Sequence, residues 1–152
     1  MVKQVIVVNK GLNMSKGKMA AQVSHASMAF MSKPILNDKR GMFTHPVFDQ
    51  DTGNQSGVLY DLFLDNDSFE WMKNSFTKVI LEVKSEEALN NILEKAKREG
   101  FVEDRDFFCI RDNCRTELTP DETGTRFTCI GFKPMQSEKI DKVTSKLQLF
   151  KE

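Results

Sequence analysis

The apolar positions of the chain follow strand-like and helix-like periods in turn from one end to the other. Short runs of β-branched and aromatic residues predict buried strands, and amphipathic segments with a period of 3.6 predict helices between them. The predicted strands are 2–8, 77–83, 106–110 and 126–132, and the predicted helices are about 14–30, 85–100 and 137–147. We expect Pro34 to close the first helix, because proline cannot donate a backbone hydrogen bond.

The order of these segments predicts an α/β fold. Strand–helix alternation places helices on both sides of a small sheet. The third and fourth strands are joined by a loop too short for a helical crossover, so we expect a mixed sheet.

No repeat or linker divides the chain, and residues 1–152 are interpreted as a single domain with an insert at about 34–66. Within that insert, the stretch DQDTGNQSG is typical of a loop. The following stretch, VLYDLFLDNDSFEWM, predicts a short hairpin arm or a helix.

Composition narrows the class of protein. A hydrophobic fraction of 39% and a charged fraction of 29% exclude a disordered chain and a membrane protein. The apolar run at positions 5–8 is shorter than the core of a signal peptide, so we expect a cytoplasmic protein without a membrane segment. The three cysteines form no C-x-x-C pair, which favours reduced thiols over a disulfide framework.

Charge is balanced overall but unevenly distributed along the chain. Residues 1–40 contain seven Lys or Arg residues and one acid, whereas residues 41–72 contain six acids and no Lys or Arg. A local basic face can attract a polyanion, although two ordinary solvated faces explain the same pattern.

The first predicted helix begins with charges that weaken it. Ser15 is its expected N-cap, and Lys16 and Lys18 follow in the first turn, where each cation opposes the helix dipole by roughly 0.3–1 kcal/mol. An anionic ligand at this end would meet free N–H groups and both ammonium groups. Lys18, Gln22 and His25 share one stripe of the helix. An incidental lysine pair and a partly buried, structural His25 are the plainer alternatives.

Two familiar sites are excluded by spacing. Gly11 and Gly17 are separated by five residues and Lys18 is followed by Met19, so the segment is not a nucleotide-binding P-loop. His25, His45 and the cysteines show no short ligand spacing, so we predict no metal site.

A second candidate element is the stretch IRDNCRTEL, residues 110–118. It follows the third predicted strand directly and carries Asp112, Arg115 and Thr116. Strand ends of α/β sheets are common ligand sites, and a carboxylate, a guanidinium and a hydroxyl there can orient water and hold phosphate or ribose. Asp and Thr are also common turn residues, so alone this signal is weak.

Together these stretches resemble one family. KGKMAAQVSHA, WMKNSFTKVILEV, RDNCRTEL, CIGF and IDKVTSKLQL occur in this order, and they are similar to the archaeal and eukaryotic type of peptidyl-tRNA hydrolase. The resemblance spans nearly the whole chain apart from about 34–66. It implies a three-layer α/β/α fold with a four-stranded mixed sheet, a homodimer, no metal or other cofactor, and hydrolysis of the ester between a peptide and tRNA.

The same resemblance implies functional residues. Family positions fall on Lys18, Gln22, Ser24, Asp112 and Thr116, and His25 and Arg115 match the motifs as well. The chain departs from the family pattern at four places, of which one is a segment from 34 to about 66 that is longer than expected. Cys114 replaces a glycine, Phe132 replaces a proline, and the stretch 120–131 is longer, so that the family's second threonine falls on Thr125 or is lost to Arg126.

The implied roles form a mechanistic hypothesis. Asp112 would orient or deprotonate water, directly or through Thr116, while Lys18 stabilises an oxyanion or a terminal phosphate. Gln22 would hold the ester or ribose, with Ser24 supporting it or packing on the sheet. Lys16 and Arg115 would contact the acceptor-stem backbone. The alternative from another class is a non-catalytic tRNA-, RNA- or nucleotide-binding protein on the same fold.

Overall fold

The computed structural model describes all residues, 1–152. Its strands are β1 (Val2–Asn9), β2 (Thr44–Phe48), β3 (Gln55–Tyr60), β4 (Lys78–Val83), β5 (Phe107–Asp112), β6 (Arg126–Phe132), β7 (Met135–Gln136) and β8 (Gln148–Leu149). Its helices are α1 (Lys16–Asn37), α2 (Asn66–Lys73), α3 (Glu86–Arg98) and α4 (Ser137–Thr144). The α/β class predicted from the sequence is confirmed.

The main sheet is mixed and has six strands. Its order is β5-β6-β1-β4-β8, and β7 pairs with the first residues of β1. β1 and β4 are parallel, whereas β6, β7 and β8 run antiparallel to their partners. The four strands predicted from the sequence are all present, but the expected total of four is wrong. The two additional strands have two residues each and form by pairing with β1 and β4, so no periodic pattern marks them.

Alternate residues of β1 pack into different apolar clusters. Val5 and Val7 belong to a cluster that includes Leu89 of α3 and Ile140 of α4. Ile6 and Val8 pack instead with residues of α1 such as Ala26, in a second cluster. A third, smaller cluster joins Val2 to α1 and to Trp71 of α2. Successive side chains of a strand point to opposite faces, so β1 contributes to clusters on both of its faces.

The first helix is longer than predicted. It continues through Pro34 to Asn37, and the N–H group of Asp38 closes it on the carbonyls of Pro34 and Ile35. Pro34 lies in the final turn, where its missing N–H removes only the bond to the carbonyl of Phe30. The helix therefore survives the proline, and the expected end near Phe30 is wrong.

The hairpin and the helix that the sequence predicted as alternatives are both present between residues 44 and 73. β2 and β3 form a separate two-stranded hairpin, and α2 follows it. The hairpin extends from the end of α1, and most of its residues are exposed. None of the four helices has the length and hydropathy needed to cross a bilayer.

Candidate active site

The N-terminus of α1 and the carboxyl end of β5 meet at one place. Ser15 caps the helix, since its hydroxyl accepts a hydrogen bond of 3.2 Å from the N–H of Lys18. β5 runs two residues beyond the predicted 106–110 and ends at Asp112. The loop that follows carries Thr116 back towards the first turn of α1.

Four predicted catalytic residues are linked there by direct polar contacts. Lys18 Nζ lies 2.6 Å from Asp112 Oδ2 and donates to Thr116 Oγ1 at 3.2 Å. Gln22, one turn further along the helix, donates from Nε2 to the same Asp112 oxygen at 3.0 Å. The Lys18 and Asp112 side chains are only 14% and 10% exposed, so this ion pair is largely shielded from solvent. Residues about ninety positions apart thus form one polar centre at the edge of the fold.

The surroundings of Asp112 stabilise its charged form. Burial raises the pKa of this carboxyl group, but hydrogen bonds from Lys18, the Cys114 N–H and Gln22, together with the Lys18 charge, outweigh burial. The pKa of Asp112 consequently lies below its ordinary value, and we expect an ionised carboxylate at neutral pH.

The turn after β5 fixes the second carboxylate oxygen. The backbone N–H of Cys114 donates to Asp112 Oδ1 at 2.9 Å. Cys114 has a φ of +55°, in the left-handed region that favours glycine. Both oxygens of Asp112 are therefore held, one by side chains of α1 and one by the turn.

An acidic residue that the sequence analysis did not assign lies at the start of α1. Glu117 accepts hydrogen bonds from the Ser15 hydroxyl at 2.6 Å and from the Ser15 N–H at 2.8 Å. These two bonds lower the pKa of Glu117. The carboxylate thus supplies a negative charge at the lysine-led helix end, where we had expected only a ligand to do so. The signal was present in the sequence, as the glutamate directly follows the Arg-Thr pair.

Two predicted substrate-binding residues lie beside the centre. Ser24 and His25 are exposed on α1 and line a groove of about 630 Å³ between α1 and β5, which also includes Arg111. Exposure of His25 argues against the buried, structural histidine that was the plainer alternative. The Ser24 hydroxyl donates to the carbonyl of Ala20 at 2.8 Å, within its own helix.

The remaining predicted contacts lie outside the polar centre. Lys16 pairs with Glu152 at 3.0 Å, and both side chains are almost fully exposed, so the pair contributes little to stability. Arg115 is exposed and forms no ion pair. The Thr125 hydroxyl accepts a bond from Arg111 at 3.1 Å and makes no contact with Lys18 or Asp112.

Comparisons with known proteins show the family of the chain. Residues 2–150 match the model of the family described as peptidyl-tRNA hydrolase PTH2. The chain belongs to this family. A protein of Methanopyrus kandleri named peptidyl-tRNA hydrolase is 36% identical over 99% of this chain and 100% of its own length. Proteins of the same name from Nanoarchaeum equitans and Haloquadratum walsbyi are 35% and 31% identical over 99% and 98% of this chain, and each is covered completely.

The turn at Cys114 is one of the places where this chain departs from the family pattern. The resemblance implied a glycine at this position, and the left-handed backbone at Cys114 is a conformation that glycine adopts readily. The turn keeps its conformation here with a side chain present. The N–H group that reaches Asp112 is preserved.

Proposed function

We propose that the protein hydrolyses the ester bond between tRNA and a peptide or an N-blocked amino acid, releasing free tRNA. The observation that carries the proposal is the polar centre itself. Lys18 and Gln22 hold an ionised Asp112, and Lys18 also donates to Thr116, in a chain of the PTH2 family. The non-catalytic binding alternative is not favoured by relatives that carry the name of the enzyme.

Asp112 positions the attacking water and accepts a proton from it. The water oxygen forms a bond to the ester carbonyl carbon while one water proton passes to the Asp112 carboxylate. The bond to the ribose oxygen then breaks, and that oxygen takes up the proton from Asp112, which restores the enzyme. Because its pKa is low, Asp112 is a weak base, and positioning of the water contributes a large part of its effect.

Lys18 stabilises the charge that develops on the carbonyl oxygen. An ammonium group has three N–H donors, and two of them are directed at Asp112 and Thr116. The third donor remains for the oxyanion or for a phosphate of the tRNA terminus. Because Lys18 is mostly buried, its interaction with an oxyanion is stronger than it would be in bulk water.

The other site residues orient the substrate. Gln22 and Thr116 border the reacting atoms and hold the ester or ribose, and Thr116 can also relay a contact between Asp112 and water. The groove that contains Ser24 and His25 lies between α1 and β5 and receives more of the substrate. Lys16 and Arg115 contact acceptor-stem phosphates, and Thr125 contributes through Arg111.

Further properties follow from the resemblance and are proposed with it. We infer a homodimer that acts in the cytoplasm without a metal or other cofactor. We also infer a single domain of three-layer α/β/α type, supported by the two sets of clusters on either side of β1.

The test is turnover of an N-blocked aminoacyl-tRNA by the purified protein in the presence of a chelator. The proposal predicts release of the N-blocked amino acid with many turnovers per enzyme molecule. Binding of the tRNA without ester hydrolysis would favour the non-catalytic alternative. Hydrolysis that is lost with the chelator and restored by a divalent cation would overturn metal independence alone.

A further inference from the structure

A buried threonine on β6 is hydrogen-bonded to the candidate active site. Thr128 has no exposed surface, and its hydroxyl lies 2.7 Å from Gln22 Oε1. The hydroxyl is also 3.1 Å from the carbonyl oxygen of Ile110 in the neighbouring strand. A single chain of hydrogen bonds thus leads from the interior of the sheet through Gln22 to Asp112.

An irregularity in the sheet directs this side chain to the site. Ile110 pairs with Cys129 and Arg111 pairs with Phe127, so Thr128 is an additional residue in β6, as in a β-bulge. Phe127 packs in the cluster on the α3 and α4 face, whereas Cys129 packs on the α1 face. Counted from Cys129, strict alternation would direct Thr128 away from α1, but at the bulge Thr128 and Cys129 both contact Gln22 of α1.

Two contacts, one at each end, hold the Gln22 amide in place. Its NH₂ group faces the Asp112 carboxylate, and its oxygen faces the Thr128 hydroxyl. Rotation of the amide by 180° would direct its oxygen at the carboxylate, where two acceptors repel each other. Without the hydroxyl, Oε1 would be a buried acceptor with no donor, which is unfavourable and loosens the arrangement.

We propose that Thr128 is a positioning residue for ester hydrolysis, acting by orienting the Gln22 amide and thereby the Asp112 carboxylate. The inference rests on the proposed function, because Gln22 and Asp112 are the groups that contact substrate and water in it. Thr128 itself does not touch the substrate. Its effect should therefore appear in kcat, be transmitted through Gln22, and leave substrate binding largely unchanged.

The test is a double-mutant cycle on hydrolysis of N-blocked aminoacyl-tRNA. Thr128→Val keeps the shape and β-branching of the side chain and removes its hydroxyl, and we expect kcat to fall about tenfold to hundredfold with KM within about twofold. Thr128→Ser should restore most of the rate. In a Gln22→Met background, Thr128→Val should cause no further loss, because the group through which it acts is absent.

A matched control separates this role from general packing. Thr144 is also buried, and its hydroxyl donates to the carbonyl of Ile140 in α4, which belongs to the cluster on the other face of the sheet. Thr144→Val should retain the wild-type kcat. Should Thr128→Val not fold, Thr128→Ala and Thr128→Ser differ by the hydroxyl alone and provide the same comparison.

The outcomes discriminate between the two proposals. If the wild-type enzyme is active, two results overturn the inference about Thr128. One is a Thr128→Val variant with the wild-type kcat, and the other is a double variant in which the losses at Thr128 and Gln22 multiply. Equal rates for Thr128→Ala and Thr128→Ser do the same. A wild-type protein that does not hydrolyse the ester at all overturns the proposed function instead.

Discussion

Cys114 combines an unfavourable backbone conformation with a contact to the active site. Its φ of +55° requires the left-handed region, in which an ordinary side chain costs roughly 1–2 kcal/mol. The same conformation directs its N–H group at Asp112 Oδ1. The backbone conformation that holds the Asp112 carboxylate is therefore strained at Cys114. A glycine would adopt the same conformation without the strain, because it has no Cβ atom.

Replacement of Cys114 by glycine should raise stability. We expect Cys114→Gly to increase the free energy of unfolding by about 0.5–1 kcal/mol, since the relief of strain exceeds the added entropy of the unfolded chain. Urea unfolding measures this quantity, and Cys114→Ala is the matched control because it keeps the Cβ atom. A glycine variant less stable than the alanine variant would contradict this explanation of the turn.

At the scale of elements, one ionic cluster connects segments that lie far apart in the sequence. Asp106, just before β5, accepts a hydrogen bond from the Val102 N–H and pairs with Arg105 and Lys133. Lys133, just after β6, also pairs with Asp65, the N-cap of α2. Burial raises the pKa of Asp106, but its bonds to Arg105, Val102 and Lys133 outweigh burial and lower the pKa to about 2.

Because of this cluster, the free energy of unfolding should fall as the pH becomes acidic. Between a pKa of 3.8 and one of about 2, the shift corresponds to about 2 kcal/mol of stability at neutral pH. The unfolded chain binds the proton first as pH falls, so this contribution is complete above about pH 4 and is lost as pH falls towards 2. We expect Asp106→Asn to be less stable at pH 7, with a difference from wild type that diminishes below pH 4.

Unfolding in urea at a series of pH values measures that difference. Asp104→Asn is the control, because Asp104 is half exposed and only distantly paired with Lys33, and its effect should stay below about 0.5 kcal/mol. A destabilisation by Asp106→Asn that is the same at pH 7 and pH 2.5 would show that the carboxylate charge is not responsible.

A strand could be predicted from the sequence when its own residues determine it, and was missed when distant residues do. β6 was predicted at its observed bounds, 126–132, because its side chains alone indicate a buried strand. The strands β7 and β8 were missed because pairing with distant residues creates them. Likewise, spacing along α1 placed Lys18 and Gln22 on one stripe, but the contribution of Thr128 depends on a bulge that no period-two pattern reveals.

For the whole molecule, the distribution of charge matters more than its sum. The formal net charge is zero, yet the first forty residues are basic and Lys16 is exposed in the first turn of α1. The six acids of residues 41–72 lie in the insert and α2. A polyanion is therefore expected to bind at one region of the surface rather than all over it.

Salt dependence of tRNA binding tests this distribution. Lys16→Ala and Arg115→Ala should each weaken binding to tRNAs of different sequence by the same factor. Each should also reduce the slope of log K against log salt concentration by about 1, because one phosphate contact is lost. Lys142→Ala is the control, since Lys142 is exposed on α4, across the sheet from α1. Equal slopes in all four proteins would place the tRNA elsewhere.

The central claim is that Lys18 and Asp112 together hydrolyse the ester. Its most direct test is the single-turnover rate of N-blocked aminoacyl-tRNA hydrolysis at saturating enzyme, measured with a chelator present. We predict that Lys18→Ala and Asp112→Ala each lower this rate by about 10²–10³-fold while Lys142→Ala does not. Cleavage by both variants at the wild-type rate would contradict the account.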